Sequence, residues 1–203
     1  YRCELIGEPF DNSLLRSGER TSFGYPCNNR IFPKIARRND SETTELRFGA
    51  FCRPGKLSGE TIKIWAQVMK QLPGSEIWFR YIGVLKDQIE YHHALFESMG
   101  IEKRRVKFLT TASTERYLES FNEIDIVLGA APEGGGISLF DGLAMGKPVV
   151  IPMWLIASDA FTQFMNNGQY RQGERMLCAN EREFIESCKH FAQETKENSS
   201  QYR

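Results

Sequence analysis

Apolar residues in this chain alternate between short continuous runs and stripes at helical spacing, and that alternation sets the first structural expectation. Residues 45–51, 76–82, 105–109 and 124–128 read as strands, each short, apolar and bounded by turn-forming residues. Residues 59–71 and 87–99 read as helices. In the first of these, Trp65, Val68, Met69 and Leu72 recur three or four positions apart and form one core-facing stripe. Gly100 ends the second helix, and a third is expected over 113–121 with Ser113 as its cap. Beyond strand 124–128, a glycine-rich turn leads into a helix over 138–145 and a strand over 148–151. Further helices are expected over 157–166 and 181–195, with a short strand over 176–178 between them. The last helix turns Phe184, Ile185, Cys188 and Phe191 inward.

Strands that alternate with helices imply an α/β domain, a doubly wound and mostly parallel sheet with helices on both faces and right-handed crossovers. Such sheets bind ligands beyond the carboxyl ends of their strands. Loops around Arg53 and Lys56, around 110–112 and around 133–138 should therefore converge on one crevice. Residues 1–45 mix Gly, Pro, Asn and Arg without periodicity and read as an irregular interdomain or linker segment. The domain itself is expected over 46–197, and 198–203 should fray. The chain begins Tyr1-Arg2, with neither an initiator methionine nor a signal-peptide pattern, which reads as an excised piece of a longer protein.

The glycine-rich turn carries the chemistry. Gly134, Gly135 and Gly136 admit positive φ and bring main-chain N–H groups close to a ligand with no Cβ in the way. A helix opening at Ser138 adds the unpaired amides of its first turn and its dipole, both of which favour a phosphate or pyrophosphate. Glu133 precedes the loop and Asp141 follows it. As carboxylates both accept hydrogen bonds, which suits sugar and ribose hydroxyls. An acid, a phosphate cradle and a second acid describe a nucleotide-sugar site. Each element also has a purely structural use: Ser138 can cap its helix, the glycines can permit close packing, and a lone lysine such as Lys56 is by base rate a solvated one.

Glu133, seven intervening residues, Asp141 and then Gly-Leu-Ala-Met-Gly-Lys-Pro-Val-Val resemble the acid-x7-acid signature of GT-B glycosyltransferases, with Asp in place of the usual second Glu. The resemblance implies one Rossmann-like half of a GT-B fold, with Glu133 on the donor sugar and Asp141 on the ribose. A second stretch, Phe48-Gly49-Ala50-Phe51-Cys52-Arg53-Pro54-Gly55-Lys56-Leu57-Ser58, is similar to the start of the donor domain in O-linked N-acetylglucosamine transferases. There a lysine after the first strand binds the donor phosphates, a role the resemblance gives to Lys56 with Arg53 assisting. It also places the base beside the loop after the third strand, near Ala112 and Tyr117. The chain departs from that subfamily where Gly136-Ile137-Ser138 replaces a His-Thr-Thr motif and where Asp159 stands in place of an arginine. The acid-x7-acid pattern leans towards retention of configuration and the surroundings of Lys56 towards inversion.

Composition narrows the remaining possibilities. The 203 residues include 26 basic and 26 acidic side chains, so zero net charge gives no general electrostatic case for nucleic-acid binding. No apolar run reaches membrane-spanning length. The five cysteines form no C-x-x-C pair, and their odd number suits a reducing, cytoplasmic setting better than a disulfide framework. His92 and His93 are adjacent and point to different helix faces, and His190 has no partner nearby in sequence, so no metal site and no cofactor beyond the donor is expected. The resulting expectation is a transferase fragment that binds a nucleotide sugar, UDP-linked, while the acceptor protein or glycan is held by a missing amino-terminal domain. Two alternatives share the fold: a noncatalytic scaffold or nucleotide-binding domain with a degenerate site, and a sugar-nucleotide epimerase.

Overall fold

The computed structural model describes residues 2–5, 8–11, 33–36, 45–52, 57–81, 86–110, 114–132, 136–156 and 173–200. Near the amino terminus, β1 (Arg2–Leu5) and β2 (Glu8–Asp11) pair antiparallel, with Cys3 opposite Phe10. This corrects the expectation of irregular structure throughout 1–45. Each strand is only four residues long, too short for periodicity to register in the sequence.

The main sheet is parallel. It comprises β3 (Arg47–Ala50), β4 (Glu76–Tyr81), β5 (Val106–Thr110), β6 (Ile126–Leu128), β7 (Val149–Pro152) and β8 (Leu177–Cys178), in the spatial order β5-β4-β3-β6-β7-β8. The chain starts in the middle, winds outward through β4 to β5, then returns to the other side of β3 and winds outward again. The point of reversal lies between β3 and β6, which pair through Phe48 with Ile126 and Gly49 with Val127. The helices are α1 (Gly59–Gln71), α2 (Lys86–Ser98), α3 (Thr114–Glu119), α4 (Ile137–Ala144), α5 (Gly173–Met176) and α6 (Glu181–Ser200).

Residues paired across a sheet share a face, so the register sorts the core into two layers. Phe48, Ala50, Ile77, Phe79, Phe108 and Ile126 face α1 and α2. On that side the Phe79 ring stacks on Phe108 at 4.8 Å and lies within 6.0 Å of both Trp65 and Phe96. Gly49 and Val127 lie on the opposite face, beneath α4 and the 3-10 turn Ser120–Glu123, where Phe51 stacks on Phe121 at 3.9 Å.

The expected stripe holds: Trp65, Val68 and Met69 are fully buried, and Leu72 packs at the edge of the core. The expected inward residues of the last helix, Phe184, Ile185, Cys188 and Phe191, are buried as well. That helix runs to Ser200, past residue 195 and into the segment expected to fray. Its polar end is held by local contacts one turn apart, with Gln193 Nε2 donating to Glu197 at 2.8 Å and Thr195 to the Phe191 carbonyl at 2.8 Å. The helix expected over 157–166, together with Asp159, lies outside the described residues.

Candidate functional site

The reversal falls between β3 and β6, two neighbouring strands whose chains depart to opposite faces of the sheet, and doubly wound sheets bind ligands at the carboxyl ends of such a pair. From β3 the chain passes through Phe51 and Cys52 to the segment that holds Arg53 and Lys56, then re-enters described structure at Leu57 and Ser58. From β6 it passes through Gly129, Ala130, Ala131 and Pro132 to the segment that holds Glu133, Gly134 and Gly135, and resumes at Gly136. Arg53, Lys56, Ala112, Glu133, Gly134 and Gly135 all lie outside the described residues. What is described is the frame on either side of them.

That frame is hydrogen-bonded between the two segments. Ser58 is the N-cap of α1, and its hydroxyl accepts the Thr61 N–H at 3.1 Å. The Ser58 N–H donates to the Ala131 carbonyl at 3.2 Å. Thr61, with no exposed surface, accepts the Ala131 N–H at 2.9 Å and donates its hydroxyl to the Ala131 carbonyl at 3.2 Å. One side chain in the first turn of α1 thereby satisfies both main-chain groups of a residue in the loop after β6. Sequence reasoning passed over Thr61 and Ala131. The available signal was Ser58 followed three residues later by Thr61 at the start of a helix, a capping arrangement that says nothing about the distant loop.

Gly136 is the N-cap of α4, with φ 57° and ψ −131°. A Cβ there would meet no atom within 4 Å, so glycine is required by backbone conformation and not by lack of room. Ile137 follows as the first helical residue and is 45% exposed, while Ser138 is buried. Asp141, one turn further, is completely buried. Between Asp141 and the sheet, α4 approaches so closely that a Cβ on Gly142 would stand 2.9 Å from Val127 Cγ2. The half-buried Tyr117 packs its ring edge-on against Phe51 at 5.7 Å and against Phe121 at 5.5 Å, on the α4 side of the sheet. Of the expected site residues, Gly136, Ile137, Ser138 and Asp141 thus share α4 and its cap, and Tyr117, on α3, packs against Phe51 and Phe121.

An open helix N-terminus behind a positive-φ glycine can hold an anion through main-chain N–H groups. Among the described residues, no group of three His, Cys, Asp or Glu side chains could hold a metal ion, and no helix is long and apolar enough to cross a membrane.

Comparison with known proteins bears on the fold. No protein-family model matches the chain. Over 107 residues, 52% of the chain, it is 24% identical to a Solanum lycopersicum protein named probable UDP-N-acetylglucosamine–peptide N-acetylglucosaminyltransferase SPINDLY, and 25% identical to the Arabidopsis thaliana protein of the same name. Each match spans 12% of the plant protein, so the chain corresponds to a small part of these relatives. Among solved structures, a Thermobaculum terrenum O-GlcNAc transferase mutant superposes with a TM-score of 0.67 at 18% identity, covering 81% of this chain and 31% of that one. The pneumococcal O-GlcNAc transferase GtfA, solved with UDP and GlcNAc, superposes with a TM-score of 0.50 at 14% identity, covering 92% of this chain and 37% of that one. The chain has the Rossmann-like fold of one half of a GT-B glycosyltransferase, and the relatives it resembles are named glycosyltransferases.

Proposed function

We propose that this chain is the donor-binding half of a GT-B glycosyltransferase and that it holds a UDP-linked sugar for transfer to an acceptor carried by another part of the protein. The observation that carries the reading is the reversal of strand order between β3 and β6, where the chain leading to Lys56 and the chain leading to the glycine-rich turn leave adjacent strand ends and are hydrogen-bonded together through Ser58, Thr61 and Ala131. The diphosphate would lie over the N-terminus of α4. There the main-chain N–H groups of the glycine-rich loop, with Lys56 and Arg53, would neutralise the charge that develops on the departing UDP as the anomeric carbon leaves the β-phosphate oxygen and bonds to the acceptor. Glu133 would accept hydrogen bonds from the donor sugar and Asp141 from the ribose, with the base near Ala112 and Tyr117. The group that activates the acceptor belongs to the other half, so this chain binds nucleotide without transferring sugar by itself.

One observation favours a second reading, a domain that keeps the fold with a degenerate site. At the mouth of α4, Ile137 presents an exposed apolar side chain where a phosphate-binding site gains from a hydroxyl, while Ser138 and Asp141 are buried.

Calorimetric titration of the 203-residue chain with UDP, and with GDP and ADP for comparison, separates the two readings. The donor reading expects saturable binding, weakened by roughly 1–3 kcal/mol in Lys56→Ala through loss of a charge-assisted contact, and weakened also in Glu133→Ala when the sugar nucleotide is the ligand. Absence of binding to all three nucleotides would leave the degenerate domain as the surviving reading.

A further inference from the structure

We infer that Thr61 is a positioning residue for donor binding: its buried hydroxyl sets the spacing between the loop that carries Lys56 and the loop that carries Glu133. The inference rests on the donor-binding reading and adds to it a residue that touches neither the phosphate nor the sugar.

The hydrogen-bonding capacity of this hydroxyl is fully committed. A threonine hydroxyl has one proton to give and two lone pairs to fill. The Ala131 N–H, at 2.9 Å, fills one lone pair. Ser58 Oγ lies 2.9 Å away, and either oxygen of that pair can be the donor. With the Thr61 proton on the Ala131 carbonyl at 3.2 Å, the arrangement that satisfies every group has the Ser58 hydroxyl donating to Thr61 and filling the second lone pair. The Ala131 carbonyl in turn accepts from both Thr61 and the Ser58 N–H, and Ser58 Oγ accepts the Thr61 N–H. Each donor in this closed set has a defined acceptor, and Thr61 has no solvent exposure through which water could replace one.

The placement gives the network its consequence. Ser58 stands two residues after Lys56, and Ala131 two residues before Glu133. The bonds therefore join the two loops directly beside the residues that would grip opposite parts of one ligand. An ordinary helix cap needs only the contact between Ser58 and the Thr61 N–H. The further bonds from the Thr61 side chain to a main chain 70 residues away do nothing for capping; they satisfy the buried main-chain groups of Ala131 and in doing so join the two loops.

The test measures UDP affinity of the full chain carrying Thr61→Val, which keeps the shape and removes the hydroxyl, and Thr61→Ser, which restores it, each also in a Lys56→Ala background. Positioning predicts that Thr61→Val weakens UDP binding by about tenfold, that Thr61→Ser stays close to the parent, and that the Thr61→Val penalty largely vanishes once Lys56 is absent, because the two residues act through one contact. Equal affinity of Thr61→Val and the parent, or an undiminished penalty in the Lys56→Ala background, overturns the inference and leaves the donor reading standing. Failure of the unsubstituted chain to bind any nucleotide overturns both. Circular dichroism checks that each variant is folded. If Thr61→Val is not, Ser58→Ala, which removes one link and leaves the Thr61 to Ala131 bonds, takes its place in the same comparison with an expected loss of about threefold.

Discussion

Gly142 and Gly136 stand six positions apart and are glycine for different reasons. At Gly136 the cause is the positive φ, since the space beside it is open. At Gly142 the cause is contact, because the missing Cβ lets α4 settle against Val127. Val127 is buried in a central strand and β-branched, so it has little freedom to yield. Gly142→Val should therefore lower stability by about 1–3 kcal/mol, read in urea titration as a fall in midpoint without a change in slope. Asp141, next in the chain to this contact, is completely buried, and Ser138 is buried as well. The motif marked both as candidate ligands, whereas their enclosure is a property of the packed structure.

Elements are joined here by polar side chains at their ends as much as by apolar faces. The guanidinium of Arg105, at the start of β5, donates to the Ser75 carbonyl at 2.7 Å and to the Met69 carbonyl at 2.8 Å, and reaches Ser75 Oγ at 3.1 Å. It occupies the C-terminal end of α1, where carbonyls lack intrahelical partners and a cation complements the dipole. Arg105→Met keeps most of the side-chain bulk and leaves those carbonyls without their donor. A loss of roughly 1.5–3 kcal/mol in urea denaturation is the expected result. At the other end of the sheet, α6 is started by Asn180 and Glu183: Asn180 Oδ1 accepts the Glu183 N–H at 3.0 Å and Glu183 reaches back to the Ala179 N–H at 2.8 Å. Asn-x-x-Glu is a local signal, and the start of this helix was legible in the sequence. The Arg105 clamp joins β5 to the end of α1 across some thirty residues and leaves no such trace.

Across the whole molecule, the α1–α2 layer makes stability depend on acid. His92 is buried against Phe79, Phe108 and Tyr91, donates to the Gln88 carbonyl at 2.6 Å and has His93 as a neighbour. Burial, opposed by the Gln88 bond and reinforced by His93, holds its pKa below the ordinary 6.5. The unfolded chain therefore takes up this proton more readily than the folded one. Stability from His92 is complete above about 6.5 and declines as pH falls through the lowered folded-state value. Urea titrations at pH 7.5 and pH 5 should show a smaller acid loss in His92→Gln than in the parent, and equal losses would refute this assignment. Cys178 in β8 and Cys188 on the inward face of α6 are displaced in the opposite chemical sense: burial pushes the Cys178 thiol up to about 11 and the Cys188 thiol well above its usual range, so both stay protonated and poorly reactive.

Local pattern was enough to locate the parallel strands, most of the helices and their inward residues, because apolar periodicity and end signals act within a few positions of one another. It also marked the two loops as a place for phosphate, because glycine, lysine and flanking acids are legible as residue types. Strand order, and with it the reversal between β3 and β6, was decided by tertiary pairing between segments nearly eighty residues apart. The packed structure also brings Thr61 to Ala131, buries Asp141 and places Tyr117 against Phe51. These outcomes depend on which surfaces meet once the sheet has wound in both directions from β3, a property of the packed whole that no window of sequence contains.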